Sequence, residues 1–505
     1  MKTKSGLTLL LILAGFFTYS QSANIKDLGA VGNGQTLNTA IIQKAIDQVN
    51  AKGGGKVIVP EGTYLTGTIH LKSGVELFLE KNAVLLGSTN LADYEKNDRW
   101  FALVIADQQE NIAISGTGTI DGQGQTLALN VLKLVKNGAV KDPLVLRRPN
   151  ETLRPQLVEI QRSNKVKIKG ITLKNAACWV QTYNLCTNLT IDSITVKSTA
   201  YWNNDGIDIV DCQHVELKNS TIDAADDAIC LKSSDPKSAC EDIVVTNCKT
   251  RSSASGVKFG TASLGGFRNV NVNNIYVYDT YRTAIALEIV DGGIMEDINI
   301  SNITAKNTGG AIFIRLGHRK QDVPPGIIRR IRIKDINVQI PSGKPDAGYP
   351  IEGPPEEDIY PHNLLPAQIV GLTGHPIQDV TLENLVISYG GGADKNKAYV
   401  SLDSLDAVPE RPADYPEFSM FGELPAWALY ARHAEDIKIK NSTFTYMEKD
   451  FRPAMVFDDI KGLTIDKLNL PAGDTTPPVV LHKVTGKSIK GLKTAFNSRS
   501  AVLEK

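Results

Sequence analysis

The chain has 505 residues, 42% of them hydrophobic and 22% charged, with 55 basic side chains against 55 acidic ones. That is the composition of a folded globular protein, and the balanced charge excludes the broad basic surface by which proteins hold nucleic acid. Length alone suggests two or three domains, unless the chain is built from repeats.

At the start of the chain, Lys2 and Lys4 precede an apolar stretch, Gly6–Phe17, that is too short to span a bilayer. Small residues follow in Thr18–Ala23. This pattern predicts a signal peptide over 1–22 and a secreted or periplasmic mature domain over 23–505. No later stretch reaches membrane-spanning length, so no membrane association is expected. The next segment, NTAIIQKAIDQVNAKGGG, places Ile42, Ala45, Ile46 and Val49 on one helical stripe. Asn38 suits the N-cap and Gly53–Gly55 stop the pattern, which predicts a helix over 38–52 covering the N-terminal end of the fold.

From Asn164 onward similar phrases recur. NKVKIKGITLKNA, TNLTIDSITVKST, QHVELKNSTIDAA, EDIVVTNCKTRSS, RNVNVNNIYVYDT and EDINISNITAKNT start 23 to 28 residues apart, and RRIRIKDINVQIP, QDVTLENLVISYG and EDIKIKNSTFTYM follow at wider spacing. Each is an alternating apolar run, a polar turn containing Asn, Asp or Gly, and a second alternating run. Alternation predicts strands with one buried face, and a repeat of this length predicts a solenoid whose coils share a core. The expected fold is therefore all-β, a parallel β-helix of about ten coils. A β-propeller would need roughly 40–50 residues per blade.

The six cysteines lie between Cys178 and Cys248. An oxidising compartment permits disulfides, but the spacing names no pairs. No C-x-x-C spacing and no histidine cluster occurs, so neither metal nor cofactor is expected. After Ile340 two long segments rich in Pro and aromatic residues, 341–376 and 391–430, interrupt the spacing. They read as loop insertions that wall a cleft or cover a sheet face.

Aligning the second strand of successive coils (NDGIDIV, DDAICLK, ASGVKFG, RTAIALE, GGAIFIR) gives an inward column Ile207, Ile229, Val257, Ile285, Ile312. Two positions earlier lie Asp205, Asp227, Ser255, Thr283 and Gly310, so Asp205 and Asp227 are expected to stack, with Asp226 beside them. Crowded carboxylates separate one another's pKa values, which allows one to act as an acid and another as a base. Such a group on a groove along a solenoid suits hydrolysis of a glycosidic polymer. The surrounding side chains, Lys232, Lys258, Arg282, Arg315, Asn204, Glu288 and Trp202, with His318, are candidate substrate contacts; Trp202 is placed to stack on a sugar ring.

The strings NNDGIDIVDC and DAADDAICLKS, together with the opening IKDLGAVGNGQTLNTAIIQKAID and GGGKVIVPEGTYLTGTIHLKSGVELFLEKNAVLLGS, resemble the polygalacturonase family, glycoside hydrolase family 28, over most of residues 24–340. The resemblance implies a right-handed β-helix and inverting hydrolysis, with Asp226 as general acid and Asp205 and Asp227 activating water across a gap of roughly 6.5–9.5 Å. Two departures bear on substrate. Ser255 stands where the family has the His of a Gly-His-Gly motif, and Ala286, Leu287 and Glu288 stand where an Arg-Ile-Lys motif grips a uronate carboxylate. The expected protein is thus a monomeric, secreted hydrolase of α-glycosidic bonds in a pectin-type or related polysaccharide or its oligosaccharides. The alternatives are a calcium-dependent polysaccharide lyase on the same scaffold and a non-catalytic carbohydrate-binding β-helix.

Overall fold

The computed structural model describes residues 21–142, 148–345, 364–393, 395–396, 400–471, 477–494 and 501–505. Of the expected signal peptide, residues 1–20 lie outside the described residues; Gln21 and Ser22 open the first strand, Gln21–Asn24.

Strands dominate, and among the described strand pairs all but one are parallel. The inward side chains form stacks that run from coil to coil. One runs Ile168, Ile191, Leu217, Val245, Val272, Ile300, Ile333, Leu382, Ile439, Ile465, each the register partner of the next. All are buried. Each such aliphatic side chain contributes about 1.5–3 kcal/mol by leaving water, and no coil could bury its own. This is why the alternation repeats.

The polar turn between the two runs has a backbone reason. Gly170, Ser193, Asn219, Asn247, Asn274, Asn302, Asp335, Asn384 and Asn441 all take positive φ, the left-handed conformation that Gly and Asn adopt most readily. Their side chains also ladder: Asn247 donates to Asn219 (3.2 Å) and Asn274 to Asn247 (2.7 Å).

The ladder has more coils than the phrases predict. Before Asn164 it already holds Gln21–Asn24, Gly55–Val59, Val75–Leu79 and Glu110–Gly116, and it extends past Glu435 through Met455–Asn469 and Val479–Lys490. These outer coils were not legible as repeats because their strands are short or their turns lack the Asn or Asp signature. The segment 341–376 is likewise not a continuous insertion. It contains the strand Ala367–Val370, which pairs with Ile294–Leu316 and with Leu429–Glu448. Four residues carry too little alternation to be recognised as a coil.

Helix α1 (Thr39–Ala51) buries Ile42, Ala45, Ile46 and Val49 against the first coils; Asn38 precedes it, but its side chain bonds Val31 and Thr36 rather than the helix. A second helix, α2 (Gly124–Lys136), has no counterpart in the sequence reading, because LALNVLKLV is equally an apolar strand run. All six cysteines are free and buried. Cys186, Cys212 and Cys240 stack on successive coils as small apolar side chains, with Cys186 N–H donating to Cys212 Sγ at 3.4 Å.

Candidate active site

The acid-bearing strands are Ile207–Val210 and Ile229–Ser233, followed by Val257–Ser263 on the next coil. Their register pairs Ile207 with Ile229, Ile229 with Val257, Val257 with Ile285 and Ile285 with Ile312, the alignment the sequence predicts. The turns ahead of these strands are clamped to one another: Gly206 N–H donates to the Asp227 carbonyl (2.8 Å) and Ile207 N–H to that of Ala228 (3.1 Å). A Cβ on Gly206 would lie 2.6 Å from the Ala228 oxygen and 2.4 Å from Ile222, so only glycine fits between Asp205 and Ile207.

A carboxylate oxygen of Asp205 and one of Asp227 lie within 4.8 Å of each other. Asp226 sits beside them, half-buried, with its Oδ1 accepting from Asp227 N–H (3.0 Å) and its Oδ2 from Asn203 Nδ2 (3.4 Å). The three differ in electrostatics. Burial, then the charge of Asp227, pushes Asp226 above the ordinary carboxylate value, against Arg282, Lys258 and Lys232. Burial would raise Asp227 too, but Lys258 at 3.0 Å, then Arg282 and Lys232, hold it below. Asp205 is raised well above its ordinary value, by burial first, although Lys232 stands 3.0 Å away.

Lys232 also bonds Asp208, whose carboxyl is buried and pushed up to about 6, by burial first. Lys258 is buried between Asp227 and Glu288 (3.8 Å) and donates to Tyr415 Oη (3.1 Å). Burial opposes both ammonium groups, but Asp208 for Lys232, and Asp227 and Glu288 for Lys258, raise them well above the ordinary lysine value. Glu288 is pushed up to about 7, mainly by burial. Asp205, Asp227 and the Cys230 thiol form a group of possible metal donors. An ammonium already stands against each of its carboxylates, and burial pushes the thiol far above the range where a thiolate ligand forms.

The acids face a cleft of about 790 Å³. Its floor is the outward side of successive strands, running through Glu159, Thr182, Gln161 and Asn184 to Lys232 and Lys258. One end is walled by the antiparallel hairpin Glu95–Asn97/Trp100–Asp107, which supplies Arg99 and Trp100, and by Arg148 and Glu151 downstream of α2. At the other end Tyr415 reaches Lys258, while Glu417 pairs with Arg282 at 3.1 Å. Both come from the described residues 400–428 of the expected 391–430 insertion, whose ends Gly391 and Leu429–Tyr430 belong to the coil strands Ile377–Gly391 and Leu429–Glu448, and these residues wall this end of the cleft. The same segment covers a sheet face, with Phe418, Phe421 and Leu424 packed on Phe313, Val370 and Tyr430.

Among the expected substrate contacts, Lys232, Lys258, Arg282 and Trp202 line the cleft, and Glu288 lies behind Lys258. Arg315 and Asn204 do not line it. The Arg315 guanidinium is fully buried and donates to the carbonyls of Gly371 (3.2 Å), Glu410 (2.7 Å) and Arg411 (3.0 Å), fastening the insertion to the coils. Asn204 is fully buried, accepting from Ser198 (2.7 Å) and donating to the Cys178 carbonyl (2.9 Å); its neighbour Asn203 faces the cleft instead. His318 bonds the Val323 carbonyl (2.8 Å), away from the cleft lining. Ser255, at the place of the family's histidine, donates its N–H to Asp227 Oδ1 (3.1 Å).

Several residues of the site were not among the expected contacts. Asp208, buried beneath the lining against Lys232, carried a signal, a charge inside the apolar run GIDIV. Trp179 stacks near Trp100 (ring centroids 4.9 Å apart) and under the Lys232 ammonium (4.0 Å). Trp100, Arg148 and Tyr415 reach the cleft from a hairpin and loops, where no periodicity could place them.

The model of the family described as glycosyl hydrolases family 28 matches residues 51–344, more than half of the chain. The chain belongs to that family. It is a glycoside hydrolase, and the stacked acids lie within the matched region. Curated relatives include a probable polygalacturonase of Vitis vinifera, 24% identical over 412 residues that cover 74% of this chain and 76% of the relative. An endo-polygalacturonase of Pectobacterium carotovorum subsp. carotovorum is 26% identical over 302 residues, covering 56% and 73%. A hyperthermoactive exopolygalacturonase of Thermotoga maritima shares the fold, with a TM-score of 0.59 at 22% identity over 84% of this hydrolase and 92% of that chain.

Proposed function

We propose that this glycoside hydrolase is a secreted, monomeric enzyme that cleaves α-glycosidic bonds in a pectin-type polysaccharide or its oligosaccharides with inversion, on a right-handed coil stack capped by α1. The observation that carries the reading is the gathering of three carboxylates at the cleft: oxygens of Asp205 and Asp227 lie within 4.8 Å, Asp226 accepts from Asp227 N–H at 3.0 Å, and a lysine, Lys258, stands 3.0 Å from Asp227. Asp226, which keeps its proton to higher pH, protonates the glycosidic oxygen. Asp205 and Asp227, close enough to share one water, orient it on the opposite face of the sugar, and Asp227, the one held ionised, takes its proton. Lys258 keeps Asp227 ionised, and Lys232 neutralises the Asp205–Asp208 side. Trp202, Trp179 and Trp100 offer rings for stacking against sugar faces. The polygalacturonase names of the relatives and the signal pattern over 1–22 support the substrate class and the secretion.

The test is reducing-sugar release from a panel of pectic polysaccharides. Asp226→Asn, which keeps the side chain's shape, is expected to lose about 10²–10⁴-fold in rate while its circular dichroism stays unchanged. Release by the variant at the native rate would refute the assignment of the acid. Products absorbing in the ultraviolet as unsaturated uronides, lost on adding a chelator, would indicate the lyase instead.

A further inference from the structure

All but one of the cations lining the cleft are paired with carboxylates of the protein, the exception being Arg148. Arg99 pairs with Glu151 (2.9 Å), Lys232 with Asp205 and Asp208, Lys258 with Asp227 and Glu288, Arg282 with Glu417, and Arg319 with Asp291 (2.6 Å). Arg148, at the rim, is stacked on the Trp202 ring at 4.6 Å. Each ammonium or guanidinium on the floor therefore already answers a carboxylate of the protein, and Lys232 and Lys258 answer two. A further carboxylate brought against this group would add like charge beside the ionised, buried Asp227.

A second, independent feature points the same way. Around the cleft the buried side-chain oxygens without a hydrogen bond are Glu159 Oε2, Gln161 Oε1, Thr182 Oγ1, Asp205 Oδ1 and Asp208 Oδ2. Glu159, Gln161 and Asp205 line the cleft directly. A sugar hydroxyl both donates and accepts, so it satisfies these oxygens whether or not a carboxyl holds its proton, whereas an ionised carboxylate only accepts and meets none of the carboxyl oxygens once these are ionised.

We infer that the sugar ring seated against Asp205, Asp226 and Asp227 is neutral, a hexose or deoxyhexose rather than a uronic acid. Glu288, by neutralising Lys258 from behind, is the residue that sets this preference. The inference rests on the hydrolase reading above: in a pectin-type polymer it selects bonds whose hydrolysed sugar is neutral. Glu288 is a specificity residue that acts through Lys258 rather than by touching the sugar.

The experiment compares the p-nitrophenyl α-glycosides of galactose, rhamnose and galacturonic acid at neutral pH. Binding of the corresponding free sugars to Asp226→Asn is measured by calorimetry alongside. At least one neutral glycoside should exceed the galacturonide by about 100-fold in kcat/KM, and the matching neutral sugar should bind more tightly than galacturonate. In Glu288→Gln the ratio should move toward the galacturonide by about tenfold, through KM, because Lys258 then answers one carboxylate instead of two. A galacturonide turned over or bound as well as every neutral sugar would overturn the inference, and so would an unchanged ratio in Glu288→Gln. If the wild type releases nothing from any glycoside or pectic polymer while the neutral sugar still binds best, the hydrolytic reading fails and the preference stands.

Discussion

Asp226 and Asp227 are adjacent in sequence yet are driven in opposite directions, because only Asp227 has a buried lysine at hydrogen-bonding distance. Activity that needs Asp226 protonated and Asp227 ionised must follow a bell in pH. Its acid limb, where Asp227 takes up a proton, should lie below the ordinary carboxylate range, and its alkaline limb, where Asp226 loses one, above it. A kcat/KM profile measures both limbs. Replacing Lys258 with Met removes the largest influence holding Asp227 down, so the acid limb should move to higher pH; a limb that stays in place would show that Lys258 does not tune the base. The double variant Lys258→Met/Glu288→Gln avoids stranding the Glu288 charge, which alone would cost about 3–5 kcal/mol in stability. The stacking of Asp205 on Asp227 was legible because period-2 alternation fixes which residues share a column. The exclusion of Asn204 and Arg315 was not, since both answer to partners that no strand pattern encodes, the Cys178 carbonyl and the 400–428 insertion.

Among the elements, the 400–428 insertion does the most beyond the coils. It is held by Arg315 from beneath and by Phe418 and Phe421 on the sheet, and it delivers Tyr415 and Glu417 to the cleft. Arg315→Met leaves several buried carbonyls without their donor, and each costs about 1–3 kcal/mol. The expected result is a lowered Tm with faster proteolysis between residues 400 and 424, while Tyr415→Phe, which loses only one hydroxyl, should leave Tm nearly unchanged and raise KM. Equal proteolysis of native and Arg315→Met protein would contradict this anchoring role. α1 could be read from sequence because its apolar stripe has helical spacing over a full thirteen residues. α2 and the strand Ala367–Val370 could not, the first because its apolar run fits either period, the second because four residues hold too little alternation.

At the scale of the whole molecule, the coil stack is at once the core and the ruler of the site. The column Ile207–Ile229–Val257–Ile285–Ile312 is buried throughout; Asp205 and Asp227 stand two residues ahead of its members Ile207 and Ile229, and Asp226 three ahead of Ile229. Ile229→Ala should therefore cost about 2–5 kcal/mol in denaturant unfolding and also lower kcat, because the cavity loosens the strand that holds Asp226 and Asp227. The repeat made this architecture readable from sequence, while its outer coils, with short strands and fewer Asn turns, stayed hidden. The central claim is that Asp226 gives a proton from one side while Asp205 and Asp227 deliver water from the other. Proton NMR of the first sugar released from an α-linked pectic oligosaccharide tests it most directly. The β-anomer should appear first and mutarotate afterwards, with no release by Asp226→Asn; the α-anomer appearing first would contradict the account.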